Sequence, residues 1–266
     1  GEKLMLVGDP QQLKPVILLD ELTNRKLRRK YHVADEYDYR ENSIYKTYLA
    51  CDAVSDEILL RNHYRCNKKI IDFNNKKYYN SKLQVQSDSR ERQPLVYVNV
   101  DGGPGDMKNT SPAEVEEIMR YAGENPDKSI AVITPFVNQR ILNERGSKEN
   151  GFEHVVCGTV HAFQGDEKDV VLFSTALSDR TGKGTYDWLK NNKELINVAT
   201  SRAKDKLILL ADGKELERLH QGNEDDDLYE LVQYVKMNGE SKITEKHISS
   251  RALGIQPFST ETEAAF

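Results

Sequence analysis

The chain has 266 residues, 38% hydrophobic and 30% charged, with a net charge of −5; that balance excludes a disordered chain, and no apolar run approaches the roughly 20 residues that span a bilayer. The acidic total counts against a surface that is basic throughout but allows a local basic groove. Cys51, Cys66 and Cys157 form an odd, sparse set, which points to reduced thiols and a cytoplasmic, intracellular setting, and Gly1 to Val7 lack the features of a signal peptide.

In chain order, Lys3 to Gly8 is an apolar run that stops at Gly-Asp-Pro, which predicts a buried strand ending in a loop. Val16 to Lys30 is helical or irregular, Ser43 to Cys51 a helix, Glu57 to Leu60 a short strand and Asn67 to Tyr79 a helix. Leu95 to Val100 is β-rich, and Asp101 to Asp106 is a loop. Pro112 follows Ser111 at a first helical position, with the helix running to about Gly123. Strands over Ser129 to Thr134, His154 to Val160, Asp169 to Ala176 and Lys206 to Leu210 then alternate with helices over Val137 to Arg145, within Tyr186 to Lys204, and over Gly213 to His220. Such alternation predicts an α/β fold with a mainly parallel sheet covered by helices on both faces, with ligands at the carboxyl ends of its strands. Leu228 to Met237 is a further helix; beyond Gly239 the chain turns polar, and Phe258 to Phe266 is frayed. The basic run from Asn24 to Lys30 and the acidic run from Asn223 to Asp227 read as solvated surface.

Four segments at strand ends are rich in groups that handle phosphate. Gly8-Asp9-Pro10-Gln11-Gln12 is a tight turn that exposes the Gln12 amide, which can orient a water or bond a phosphate oxygen. Leu60-Arg61-Asn62-His63-Tyr64-Arg65 places Arg65 just before a helix. Thr159-Val160-His161-Ala162-Phe163-Gln164-Gly165-Asp166-Glu167 is a strand, then a turn at Gly165. Asn197-Val198-Ala199-Thr200-Ser201-Arg202-Ala203-Lys204 is a helix presenting Arg202 just before a strand.

In order, these segments resemble motifs III, IV, V and VI of superfamily 1 helicases, and Thr134-Pro135-Phe136-Val137-Asn138-Gln139 resembles the Thr-Pro-aromatic-x-x-Gln element between IV and V. The likeness covers roughly residues 3 to 211 and is similar to the 5′-to-3′ branch typified by the nonsense-mediated-decay helicase, with RecD-type enzymes as the nearer rival. It implies a RecA-like P-loop NTPase fold, the second motor domain of an ATP-dependent helicase or translocase. Residues 1–50 would close the first RecA-like domain and connect it, residues 51–221 would form the second, and residues 222–266 a C-terminal helix and polar tail. The resemblance implies that Gln12, Arg65 and Arg202 are catalytic, acting on the γ-phosphate or the attacking water. It implies nucleotide contacts at Gly8, Asp9, Tyr64, Gly165 and Glu167, the last on the ribose. It also implies that Thr134, Pro135, Gln139, Thr159 and His161 face single-stranded DNA or RNA. The cofactors would be ATP and Mg²⁺, the metal held mostly outside this chain.

Such an ATPase needs a Gly-x-x-x-x-Gly-Lys-[Ser/Thr] loop to cradle phosphates. The chain has Gly182-Lys183 and Gly213-Lys214, and neither fits. The family places that loop before motif III, which implies a first RecA-like domain ahead of Gly1 as the working partner. Val16 to Glu21 imitates the metal-binding Asp-Glu strand on the wrong side of motif III, and His63, Cys66, His154 and Cys157 imitate a zinc set that one regular strand could not bring together. The rival function is a nucleic-acid-binding or protein-interaction module derived from a helicase.

Overall fold

A computed structural model describes residues 5–9, 11–12, 17–51, 58–102, 107–163 and 166–244, apart from the side chain of His161. The chain divides into two compact units, Gly1–Leu60 and Arg61–Phe266.

The first unit holds helices α1 (Glu21–Tyr31) and α2 (Ile44–Cys51). Asp20 caps α1 by accepting from the Thr23 N–H at 2.9 Å, and Glu21 pairs with Arg25 one turn on. The Asp-Glu pair is therefore a helix start and not a metal-binding strand. Arg28 pairs with Asp35 and Asp38, so the basic run is partly neutralised locally. The strand expected over Lys3 to Gly8 is not found: residues 5–9 have no regular structure, and Met5 and Val7 are 85% and 83% exposed. Apolar side chains alone do not make a strand, because its N–H and C=O groups need a neighbouring ladder. Ile58 to Leu60 likewise form no strand and are exposed, while residue 57 lies outside the described residues.

The second unit runs β1 (Asn62–His63), α3 (Lys68–Tyr78), β2 (Gln84–Val85), β3 (Leu95–Val100), α4 (Pro112–Glu124), β4 (Ile130–Thr134), α5 (Val137–Glu149), β5 (Val155–Thr159), β6 (Lys168–Ser174), α6 (Lys183–Lys190), α7 (Lys193–Ser201), β7 (Ala203–Ala211), α8 (Gly213–His220), α9 (Asp227–Asn238) and β8 (Glu240–Thr244). Six strands form one sheet in the order β5-β4-β6-β7-β3-β8, and every neighbouring pair is parallel. Parallel sheets need cover on both faces, and this one has it. Val96, Val98, Val132, Leu172 and Ile208 meet Ala113, Ile118 and Ala122 of α4 on one face. On the other, the Lys236 ammonium of α9 lies 4.7 Å from the centroid of the Tyr97 ring, and α7 packs on β6 and β7. The central side chains Phe173, Val171, Leu207 and Leu209 are fully buried, each contributing roughly 1.5–3 kcal/mol if apolar burial is taken at its usual value.

The region expected to contain a helix between Tyr186 and Lys204 holds parts of two, α6 and α7: Asn191 ends the first, and Asn192 caps the second by accepting from the Leu195 N–H at 3.1 Å. In the acidic run Asn223, Glu224 and Asp225 are exposed, as expected, but Asp226 is structural: it is 1% exposed and accepts from Tyr186 Oη at 2.6 Å, the Tyr229 N–H at 2.9 Å and His220 Nδ1 at 3.0 Å. The polar stretch after Gly239 begins with a strand, β8. β8 pairs with β3, from Val96 opposite Glu240 to Val100 opposite Thr244. Residues 245–266, including the expected frayed end, lie outside the described residues. At Gly239 a Cβ would stand 2.3 Å from the Leu95 carbonyl oxygen and 2.7 Å from its Cβ. Gly239→Ala should therefore lower the unfolding free energy by about 1–3 kcal/mol, the usual range for overpacking. A urea midpoint equal to wild type would show that this junction yields freely.

Candidate functional site

The charged residues singled out from sequence gather at the amino ends of β6 and β7. The segment after β1 is laid against the α7–β7 junction by one backbone bond and one thiol bond: the Asn67 N–H donates to the Lys204 carbonyl at 2.7 Å, and Cys66 Sγ to the Ser201 carbonyl at 3.2 Å. The Lys168 N–H donates to the Arg202 carbonyl at 3.1 Å, which brings Glu167 alongside. Arg65 Nε then donates to Glu167 Oε2 at 2.5 Å, and its Nη1 to the Ser201 carbonyl at 3.3 Å. Lys204 Nζ lies 3.1 Å from Glu167 Oε1. One carboxylate thus serves two cations.

Arg202 is 3% exposed. Burial, and then the charge of Arg65, lower its pKa from the ordinary arginine value. Burial works against charge on Glu167 too, but hydrogen bonds from Lys204 and Arg65 outweigh it and hold the carboxyl below the usual glutamate range. His63 Nε2 accepts from the Cys66 N–H at 3.0 Å; burial first, then Arg65, push its pKa down to about 4, so the ring is neutral at pH 7. A cleft of about 410 Å³ opens here, lined by Tyr64, Arg65, Ser89, Arg90, Glu167 and Lys204 among others. Tyr64 is 68% exposed, and Gly165 lies outside the described residues. A polyanion with a polar ribose-like portion matches this lining of guanidinium, ammonium and carboxylate groups.

The residues assigned to strand binding lie at the opposite ends of the strands. Thr134 closes β4 and Thr159 closes β5, paired in register at their carboxyl ends. The candidate residues therefore lie at both ends of the sheet, where the sequence pattern placed them at the carboxyl ends alone. Thr159 is half-buried, and the His161 side chain lies outside the described residues. Thr134, Pro135 and Gln139 are buried. Gln139 Oε1 accepts from the Ser111 N–H at 2.7 Å, while Nε2 donates to the Ser111 carbonyl at 3.2 Å and to Ser174 Oγ at 3.0 Å. A strand contact by these three side chains is not what the geometry offers; Gln139 instead satisfies backbone groups at the start of α4, which an α-helix leaves open.

In the first unit, the Asp9 carboxylate accepts from the Gln11 N–H at 2.9 Å and from Gln12 Nε2 at 3.0 Å, so Gln12 is held in the turn. A Cβ on Gly8 would stand 3.3 Å from Tyr45 Cδ2.

Two residues were not singled out from sequence. Lys204 belongs to the Arg202-Ala203-Lys204 segment, but its pairing with Glu167 depends on a fold contact. Glu114 is fully buried and accepts from Ser174 Oγ at 2.5 Å and from the Ala176 N–H at 3.0 Å; burial pushes its pKa up to about 8 against those hydrogen bonds. Among the described residues no group of three or more His, Cys, Asp or Glu side chains is placed to hold a metal, and no helix is long and apolar enough to cross a membrane.

A family described as "AAA domain" matches residues 40–214. The chain belongs to this family. With motifs III to VI in order, it is a C-terminal, RecA-like domain of the superfamily 1 helicase type. The helicase domain is 27% identical over 255 residues to the 3'-5' exoribonuclease HELZ2 of Mus musculus, covering 79% of this chain and 8% of that protein. It is 27% identical over 274 residues to the uncharacterized ATP-dependent helicase MJ0104 of Methanocaldococcus jannaschii, covering 92% and 37%. To the human DNA replication ATP-dependent helicase/nuclease DNA2 it is 26% identical over 256 residues, covering 79% and 22%. The helicase domain thus spans well under half the length of each of these relatives.

Proposed function

We propose that this domain is the γ-phosphate-sensing half of an ATP-dependent helicase or translocase that moves along single-stranded nucleic acid in the 5′-to-3′ sense. One observation carries the reading. Two guanidiniums from motifs far apart in sequence, Arg65 and Arg202, stand near each other and near Glu167; Arg65 and Glu167 line one polar cleft, and Arg202 is buried close by. Binding alone does not call for two arginines at one phosphate. Transfer of a phosphoryl group spreads charge over equatorial oxygens, and planar guanidiniums stabilise that charge.

In this reading Arg65 and Arg202 donate to the γ-phosphate, Glu167 accepts from the ribose hydroxyls, and Gly165 lets backbone approach. Tyr64 lies beside the base, and the turn of Gly8, Asp9 and Gln12 orients the attacking water. Thr159 and His161, at the other end of the sheet, meet the strand. Mg²⁺ would neutralise phosphate charge, held mostly by groups outside this chain. The phosphates are held by a partner RecA-like domain carrying the phosphate loop. Because γ-phosphate ligands come from both sides, hydrolysis biases opening and closing of the pair.

The test compares the 266-residue chain with the full-length protein. The chain alone should turn over essentially no ATP, and the full-length protein should hydrolyse ATP faster when single-stranded DNA or RNA is added. Strong turnover by the chain alone, or no strand-stimulated turnover by the full-length protein, overturns the reading. The second result would favour a binding module that has lost its motor.

A further inference from the structure

Arg65 and Lys204 share one carboxylate, each on its own oxygen of Glu167, at 2.5 and 3.1 Å. All three side chains are partly exposed, at 29% for Arg65, 39% for Glu167 and 41% for Lys204, so the pairs are exchangeable without being fully screened. The proposed function requires Arg65 to leave Glu167 for a phosphate oxygen. A half-buried carboxylate left without a cation resists that departure, since an ion deprived of its partner keeps its desolvation cost. Lys204 removes the obstacle, because its ammonium remains on the other oxygen. Its backbone is well placed for this: the Lys204 carbonyl accepts from the Asn67 N–H at 2.7 Å, and the Arg202 carbonyl two residues earlier accepts from the Lys168 N–H at 3.1 Å. Arg65, Glu167 and Lys204 are therefore tied to one another through main chain as well as through charge.

We propose that Lys204 is a positioning residue that keeps Glu167 neutralised and in place while a polyphosphate draws Arg65 away, and so sets how readily that arginine passes from carboxylate to phosphate. The proposal rests on the reading of this cleft as a nucleotide site.

The test uses the 266-residue chain labelled with ¹⁵N, the Arg65 Nε–H resonance as reporter and inorganic tripolyphosphate as probe. In wild type the resonance should shift on titration. In Lys204→Met the midpoint should move to about tenfold higher concentration, as loss of a charged hydrogen bond implies, and Lys204→Arg should restore it. Glu167→Gln added to Lys204→Met should also restore it, because the carboxylate that detains Arg65 is gone; a lysine that merely supports the fold would show no such rescue. No shift in wild type, equal midpoints in wild type and Lys204→Met, or no rescue by the second substitution overturns the proposal. ATP turnover by the full-length protein separates the two claims. A Lys204-dependent shift in a protein without strand-stimulated turnover refutes the motor reading while supporting the handover, and turnover without that dependence does the reverse.

Discussion

Replacing Arg202 by Ala in the full-length protein should lower ATP turnover by about 10³-fold or more and leave single-strand affinity nearly unchanged, as expected for an arginine acting on the transferred phosphoryl. Arg202 is 3% exposed at the α7–β7 junction, where burial and the neighbouring Arg65 both disfavour its charge. An incoming triphosphate relieves both at once, so the guanidinium gains most when charge develops on the phosphoryl oxygens. Arg202→Lys should recover little, since an ammonium keeps the charge but not the planar fork. Steady-state turnover and fluorescence anisotropy with a labelled oligonucleotide check both halves. Turnover within tenfold of wild type, or strand binding lost in parallel, would sink the assignment.

The second large effect concerns stability. Glu114 ionises near its ordinary value of 4.5 when unfolded, but burial raises its pKa to about 8 in the folded domain. Between those values the folded state holds a proton that the unfolded state has released. Its contribution is therefore most favourable below pH 4.5, declines as pH rises and is lost by about pH 8. The full span is on the order of 4 kcal/mol. Glu114→Gln removes the titration, so wild type should lose stability relative to the variant as the pH climbs from about 5 to 9. Urea unfolding of both chains across that range measures the difference, and a flat difference would mean that Glu114 titrates alike in both states.

Much of the sheet was legible because its strands are short apolar runs. Ile130 to Thr134, Val170 to Phe173 and Leu207 to Ala211 are buried on both faces and show it in composition. β8 was not, because Glu240-Ser241-Lys242-Ile243-Thr244 is an exposed edge whose membership is decided by main-chain pairing with β3. Residues 5–8 failed in the opposite way, with a strand's composition and no ladder to join among the described residues; Lys3 and Leu4 lie outside those residues. At the candidate site, Arg65, Glu167 and Arg202 stand near one another, each beside a strand or helix end that the pattern located. What spacing could not tell was direction. Gln139 turns inward to Ser111 and Ser174, and Glu114 turns to Ser174 and Ala176. The Ser111-x-x-Glu114 spacing is that of a capping box, and Ser111 Oγ does accept from the Glu114 N–H at 3.4 Å, but the carboxylate answers to the end of β6 instead of reaching back.

The strand order has a consequence for how the domain is made. β3 is synthesised early, yet its partners β7 and β8 are the last strands to emerge among the described residues, and Leu95 must wait for Leu207. Until then a six-residue apolar segment has both edges open on the ribosome, a recognised hazard for association between nascent chains. Non-local parallel pairing of this kind also folds slowly. The same topology that brings Arg65 near the α7–β7 junction therefore leaves β3 dependent on being shielded until β7 and β8 arrive.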